Sequence, residues 1–241
     1  NKIPYSKENK NEITRVFNYQ SFTQKRSTKY NAYSLANSLQ VNVCPYCNRQ
    51  YTFTIIEKGE DKGNTRPDFD HFYSQSKYPY LALSFYNLIP SCKTCNSTFK
   101  QDKEWNLDKY VHPYTEGFGN CKFSAKPKQG KGIDFFYGKA EAFEITFKNV
   151  SAKTENNIND LKLEKLYEKH KDYVGEILQR SITYSDAYIN MLFEQYEGTL
   201  FSSLGDVKRM IIGNYIVEED FENRVLSKLS KDMLDEIGFL Q

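Results

Sequence analysis

The sequence predicts an α+β protein, and three observations carry that reading. Two Cys-x-x-Cys pairs, Cys44/Cys47 and Cys92/Cys95, bracket short β-branched and aromatic runs of the kind that form strands. Residues 5–40 place Ile13, Val16 and Phe17, then Tyr30, Tyr33, Leu35 and Leu39, at the spacing of two short helices. From Asn157 onward the pattern is helical, with Leu163, Leu166, His170, Val174, Ile177 and Leu178 on one face.

The 241 residues can bury a real core as one large domain or two small ones. Mean hydropathy of −0.71, no apolar run of membrane length and no signal-peptide pattern point to a soluble, cytoplasmic chain with no membrane partner. Because it begins at Asn1 without a Met, the native start is expected upstream. The five cysteines are an odd number, which suits a reducing compartment and argues against a disulfide framework. Charge is divided unevenly. Residues 1–154 carry 23 Lys+Arg against 14 Asp+Glu, whereas residues 155–241 carry 10 against 17. A basic front suits a polyanion, and an acidic rear does not. Three segments follow: an N-terminal helical segment (1–40), a central domain with a small hairpin (41–154), and an acidic helical region (155–241).

Taken in order, the run Lys25–Lys29 reads as a loop between helices, solvated or touching phosphates. Tyr51–Ile55 alternates and reads as a strand, residues 58–64 as a turn, and the piece carrying Asp70 and His71 as extended. The aromatic stretch from Phe72 to Phe85 reads as an ordered loop. Leu88-Ile89 fits a short strand that Pro90 ends, after which a helix starting near Ser91 carries Cys92, Cys95, Asn96 and Lys100. Phe135–Tyr137 and Ala142–Phe147 are expected to pair as a hairpin, and a last helix carries Leu226, Leu229, Met233 and Ile237.

Each Cys-x-x-Cys can aim both thiolates at one point, and two such pairs make a closed tetrahedral site suited to Zn²⁺. Four protein ligands leave no open position, so this metal would hold structure, and the chemistry falls to the residues between the cysteines. If Asp70 turned toward the helix of Asn96, a carboxylate and an amide oxygen would converge on a hard cation such as Mg²⁺. His71, on the opposite face, would then serve as a general base. Flanking residues admit blander readings. Asn87 suits a turn, Lys100 an exposed helical position, His112 a structural loop, His170 core packing, and Cys121 a small buried residue.

The run Cys-Pro-Tyr-Cys, Asp-His, Asn-Leu-Ile-Pro and Cys-Lys-Thr-Cys-Asn resembles the HNH endonucleases, or ββα-metal (His-Me finger) nucleases, in their zinc-stapled form. The resemblance covers residues 44–100, and it implies an HNH core with flanking N-terminal helices and a mostly helical C-terminal region. By position, His71 would activate water, Asp70 and Asn96 would hold one catalytic Mg²⁺ or Mn²⁺ against the scissile phosphate, and Asn87 would fix the loop and orient the base. Relatives often have Pro three residues after the His. Ser74 stands there, and a less rigid loop is expected. Lys100, Lys122, Lys126 and Lys128 are candidates for contacts to backbone phosphates.

More finely, Asp-His-Phe-Tyr-x-x-Ser-Lys-Tyr-Pro is similar to the PtuB nucleases of Septu-type bacterial anti-phage systems, some linked to retrons. That likeness implies an ATPase partner of PtuA type, for which the acidic region after residue 155 is a docking surface. The expected function is metal-dependent cleavage of nucleic acid, DNA before RNA. The alternatives are a catalytically silent zinc module that binds nucleic acid or protein, and an RNA- or tRNA-directed nuclease.

Overall fold

The computed structural model describes residues 7–24, 30–57 and 64–240; the Lys25–Lys29 loop and nearly all of the expected turn at 58–64 lie outside them. The chain forms two compact units, Asn1–Gly117 and Phe118–Gln241, so the hairpin belongs to the second unit and not to a central segment ending at 154. Both units mix helices with a small antiparallel sheet. No helix among the described residues is long and apolar enough to cross a membrane.

The first unit opens with α1 (Lys7–Val16), α2 (Tyr19–Thr23) and α3 (Ala32–Leu39). Asn31 caps α3, its Oδ1 accepting from the backbone N–H groups of Tyr33 and Ser34, and Gln40 ends it in the left-handed conformation. Ala32, Leu35 and Ala36 pack with Phe69 and Leu88, and Tyr19, Phe22 and Leu39 close the sides. Helices α2 and α3 thereby back a two-stranded sheet, β1 (Asp68–His71) and β2 (Leu88–Ser91).

Antiparallel register pairs Asp68 with Ser91, Phe69 with Pro90, Asp70 with Ile89 and His71 with Leu88. Pro90 lies inside β2 instead of ending it, for a reason of register. Phe72 N donates to Asn87 O at 3.0 Å, and the alternation of antiparallel ladders then puts Phe69/Pro90 at a non-bonded position. A proline's missing N–H is harmless there. Tyr51–Ile55 does not form a regular strand; single bridges join Val43 to Tyr51 and Ile55 to Thr65. The helix after β2 is a π-helix, Thr94–Lys100, so Cys92 precedes it and only Cys95 lies on it.

In the second unit the hairpin is β3 (Lys122–Pro127) against β4 (Phe143–Lys148), whereas Phe135 and Phe136 lie on α4 (Gly132–Phe136). Two strands leave both outer edges unpaired, and acidic side chains cover them. On β3, Asp232 accepts from Phe123 N at 2.9 Å and Glu236 from Ala125 N at 3.0 Å. On β4, Glu168 accepts from Ile145 N at 2.6 Å. Asp232 and Glu236 belong to α10 (Ser227–Glu236), whose Leu229, Met233 and Leu234 are buried. Several of the acidic groups that make the rear half read as a free surface are therefore engaged on the sheet.

The remaining helices are α5 (Ala152–Asp160), α6 (Leu163–Tyr167), α7 (Lys171–Thr183), α8 (Asp186–Tyr196) and α9 (Leu204–Ile212). The stripe read from the sequence is inside at Leu163, Val174, Ile177 and Leu178; Leu166 and His170 are half-buried. Gly138 and Gly175 meet backbone to backbone. A Cβ on Gly175 would sit 2.2 Å from the carbonyl oxygen of Gly138, and Gly138 itself has φ +69°.

Candidate metal centre and the Asp70–His71 strand

Val43 and Tyr51 pair across a tight loop that turns Cys44 and Cys47 inward. Cys44 O accepts from Cys47 N (3.3 Å) and Asn48 N (2.8 Å), and Asn48 takes φ 45° to complete the turn. From the other side, Cys92 follows β2 and Cys95 lies in the first turn of the π-helix, with Cys95 N donating to Cys92 Sγ at 3.4 Å. All four sulfurs are buried and lie within 4.8 Å of one another. With Zn–S near 2.3 Å, a tetrahedral site has S···S edges of about 3.8 Å; Cys47 and Cys92 are 3.9 Å apart. A disulfide would need about 2.05 Å, and none of the five cysteines is in one.

Burial pushes the Cys44 thiol up, and the neighbouring sulfurs push Cys95 up with it. Four thiolates crowded in an apolar interior repel one another, and a dication at their centre is what lets them ionise together. The donors fit Zn²⁺ as a structural ion.

Asp70 faces the interior. Its side chain is 1% exposed, with Oδ1 3.0 Å from Lys100 Nζ and Oδ2 accepting from Tyr46 OH at 2.6 Å. Tyr46 belongs to the first cysteine loop, and burial holds its phenol well above the usual range, so it stays a donor. Lys100 Nζ also donates to His71 O at 2.6 Å and lies 5.3 Å from the centre of the Trp105 ring.

Three expectations are corrected here. Lys100 is a buried counter-ion and cannot touch a phosphate backbone. Asp70 has both oxygens engaged, so it does not fit as the ligand of a hydrated divalent ion. Asn96 is half-buried, and Asp70 meets its π-helix at Lys100 instead of at the carboxamide, so the expected oxygen pair is not assembled. The remaining lysines expected at the phosphates, Lys122, Lys126 and Lys128, belong to the second unit, which carries neither the sulfur cluster nor His71. Lys122 is already paired with Asp235 at 3.1 Å. Lys126 is exposed on β3, and Lys128 is exposed just past its end, where its backbone N–H donates to Ala142 O at 2.8 Å. Lys128 thus extends the hairpin by one rung, and the stretch expected as a loop is a strand here.

His71 is half-buried, its ring edge-on to Tyr19 at 4.5 Å between centroids. Its Nε2 is 3.0 Å from Ala82 O. A carbonyl only accepts, so Nε2 carries the proton and Nδ1 keeps its lone pair. Burial lowers the imidazole below its ordinary value, with the Ala82 carbonyl pulling the other way.

That carbonyl is held in place by Asn87. Asn87 Oδ1 accepts from Tyr73 N (2.7 Å), and Nδ2 donates to Tyr73 O (3.1 Å) and Leu81 O (3.0 Å), next to Ala82. The same loop is stiffened where flexibility was expected. Ser74 is buried and bonded to Asp102, which Ser76 also reaches at 2.5 Å. Those two hydroxyls hold the Asp102 carboxyl below its usual range.

His112 is committed elsewhere. Nε2 lies 2.8 Å from Tyr86 O, Nδ1 accepts from Tyr114 N at 3.2 Å, and the ring packs 4.4 Å from Phe72. Tyr46 and Tyr19 are the partners that sequence reasoning missed. Tyr46 stands inside a metal-binding loop, where its neighbours account for the whole motif. Tyr19 lies far from the motif in sequence, with no signal of its own.

No family model matches the chain, and no curated protein or solved structure gives a match. The class that the fold and site define is therefore coarse: a mixed α/β protein with small antiparallel sheets and a buried four-cysteine cluster able to hold a metal ion.

Proposed function

We propose that the first unit hydrolyses phosphodiester bonds of nucleic acid, with His71 as the general base and a structural zinc holding the scaffold. The observation that carries this reading is the fixed tautomer of His71. An imidazole whose Nε2–H is tied to a carbonyl, with Nδ1 free and its pKa lowered, is neutral and ready to take a proton from water near pH 7. Asn87 acts through the loop as a positioning residue. The resemblance adds a divalent ion at the phosphate; the Asp70 and Asn96 arrangement does not supply its site, so no step is assigned to it. The resemblance likewise supports an effector role in bacterial anti-phage defence beside an ATPase partner of PtuA type, which co-purification with neighbouring gene products tests.

The saturated Asp70–Lys100 pair favours a second reading, a silent zinc module that binds nucleic acid or protein. His71→Ala separates the two. The hydrolase loses cutting on duplex DNA, single strands or tRNA while zinc content and fold are retained. If purified wild-type protein cuts none of these with Mg²⁺ or Mn²⁺ present, the silent module is the better account. Comparing the three substrates also decides between DNA and RNA.

A further inference from the structure

A cavity of about 350 Å³ opens at the Asp68/Ser91 end of the sheet, lined in part by Tyr51, Phe53, Arg66, Asp68, Ser91 and Lys93. Tyr51 and Phe53, two apart on extended chain, put their rings on one face. The rings stack 4.6 Å apart and 17° from parallel, yet they are 45% and 48% exposed. Stacked aromatics left in water leave apolar area uncovered that a core would have used.

Several polar side chains of the lining are paired, Arg66 through a bond from its guanidinium to Pro67 O at 2.7 Å among them, but two buried atoms are not. Three buried side-chain polar atoms among the described residues have no hydrogen-bond partner, and two of them, Ser91 Oγ and Arg66 Nε, belong to this lining. Ser91 is 0% exposed. Buried polar groups are ordinarily satisfied, so two orphans at one cavity point to a ligand.

We infer that this cavity is a subsite for an unpaired nucleobase of a bound strand, stacked on Tyr51 and Phe53. Every base offers a π-face, which makes such a platform sequence-tolerant and selective for single strands over duplex. Arg66 and exposed Lys93 supply positive charge for the adjoining phosphate, while Asp68 suits a base edge that donates. Asp68 and His71 stand three residues apart on β1, or about 10 Å at about 3.3 Å per residue. Their side chains lie on opposite faces of the strand, so a chain bound at both would pass around the sheet edge and be gripped a few nucleotides from the ester that His71 serves. The subsite deepens the hydrolase reading by naming the substrate class, strands with unpaired bases, and rests on it for that link.

The test is fluorescence anisotropy with a labelled 12-nucleotide single strand and its duplex, without added divalent ions so that nothing is cut. Wild-type protein is expected to prefer the single strand, and the Tyr51→Ala/Phe53→Ala double variant to bind it at least about tenfold more weakly. Zinc content and circular dichroism should be unchanged, and Tyr51→Phe should bind like the parent. Undiminished binding by a folded double variant, or equal affinity of wild type for strand and duplex, overturns the subsite even if cutting persists. Conversely, platform-dependent binding by a wild-type protein that never cuts keeps the subsite and removes the hydrolase.

Discussion

Lys100 Nζ lies 3.0 Å from Asp70 Oδ1, and each side chain is 1% exposed. With Tyr46 on the second carboxylate oxygen, this buried pair ties the first cysteine loop, β1 and the π-helix into one unit. It also explains why the carboxylate next to His71 is silent toward solvent. Removing one member of such a pair strands the other charge, at a cost of about 3–5 kcal/mol, whereas removing both is far milder. Lys100→Met should therefore destabilise the first unit by that amount in urea titrations, and Lys100→Met/Asp70→Asn should recover most of it. A single variant within about 1 kcal/mol of wild type would mean that the pair contributes little.

The sulfur cluster sets a second expectation. One tetrahedral ion should be found per chain by elemental analysis, and Cys92→Ser or strong chelation should unfold the Asn1–Gly117 unit while the other unit keeps its transition. Two calorimetric transitions in the holoprotein, only one of them sensitive to chelator, would be the signature. If chelator shifts neither transition, the ion does not hold this fold.

How much of this is legible in the chain depends on the range of each interaction. The cysteine cluster is readable because its spacing is local and its chemistry admits few other uses. The C-terminal helices are readable from apolar periodicity, as at Val174, Ile177 and Leu178, whereas at the N-terminus three helices form where two are expected and Val16 is exposed. Lys100 reads as exposed because an ammonium buried by a carboxylate thirty positions away leaves no local trace. The strand β3 is hidden by its lysines. Lys122 and Lys126 frame Phe123 and Ala125, and with Pro127, Lys128 and Gly130 close by the segment reads as loop, although its inner residues are buried against α10. Pro90 reads as a strand end because register, which makes it harmless, is a property of the partner strand.

Two imidazoles, His112 buried and His71 half-buried, set the sign of their own contribution to the pH dependence. Burial lowers both His71 and His112 below 6.5, with backbone carbonyls partly opposing it. The folded state therefore binds fewer protons than the unfolded state across the window below 6.5. Stability is full above pH 6.5 and falls as pH drops through the folded values. Urea midpoints should decline on acidification below pH 6.5, and His112→Gln should blunt that decline if its fold survives. Cutting should lose activity only below the ordinary imidazole range, since His71 must be neutral to act. An acid limb at or above pH 7 would contradict the lowered value.

The contact between Gly138 and Gly175 supplies the sharpest steric expectation. A Cβ at Gly175 would lie 2.2 Å from a backbone carbonyl oxygen, and no side-chain rotation can relieve that. The loop carrying Gly138 and α7 must then separate, disturbing the packing of Val174 and Leu178 beneath. Gly175→Ala, helix-favouring by propensity, should nonetheless destabilise the second unit by about 1–3 kcal/mol. Gly132→Ala is the control. It lies in α4 with nothing within 4 Å of the added Cβ, and should stabilise by about 0.5–1 kcal/mol through the unfolded chain. Thermal melts of the two variants moving in opposite directions would establish the close approach; Gly175→Ala melting at or above wild type would show that the loop and helix do not touch in solution.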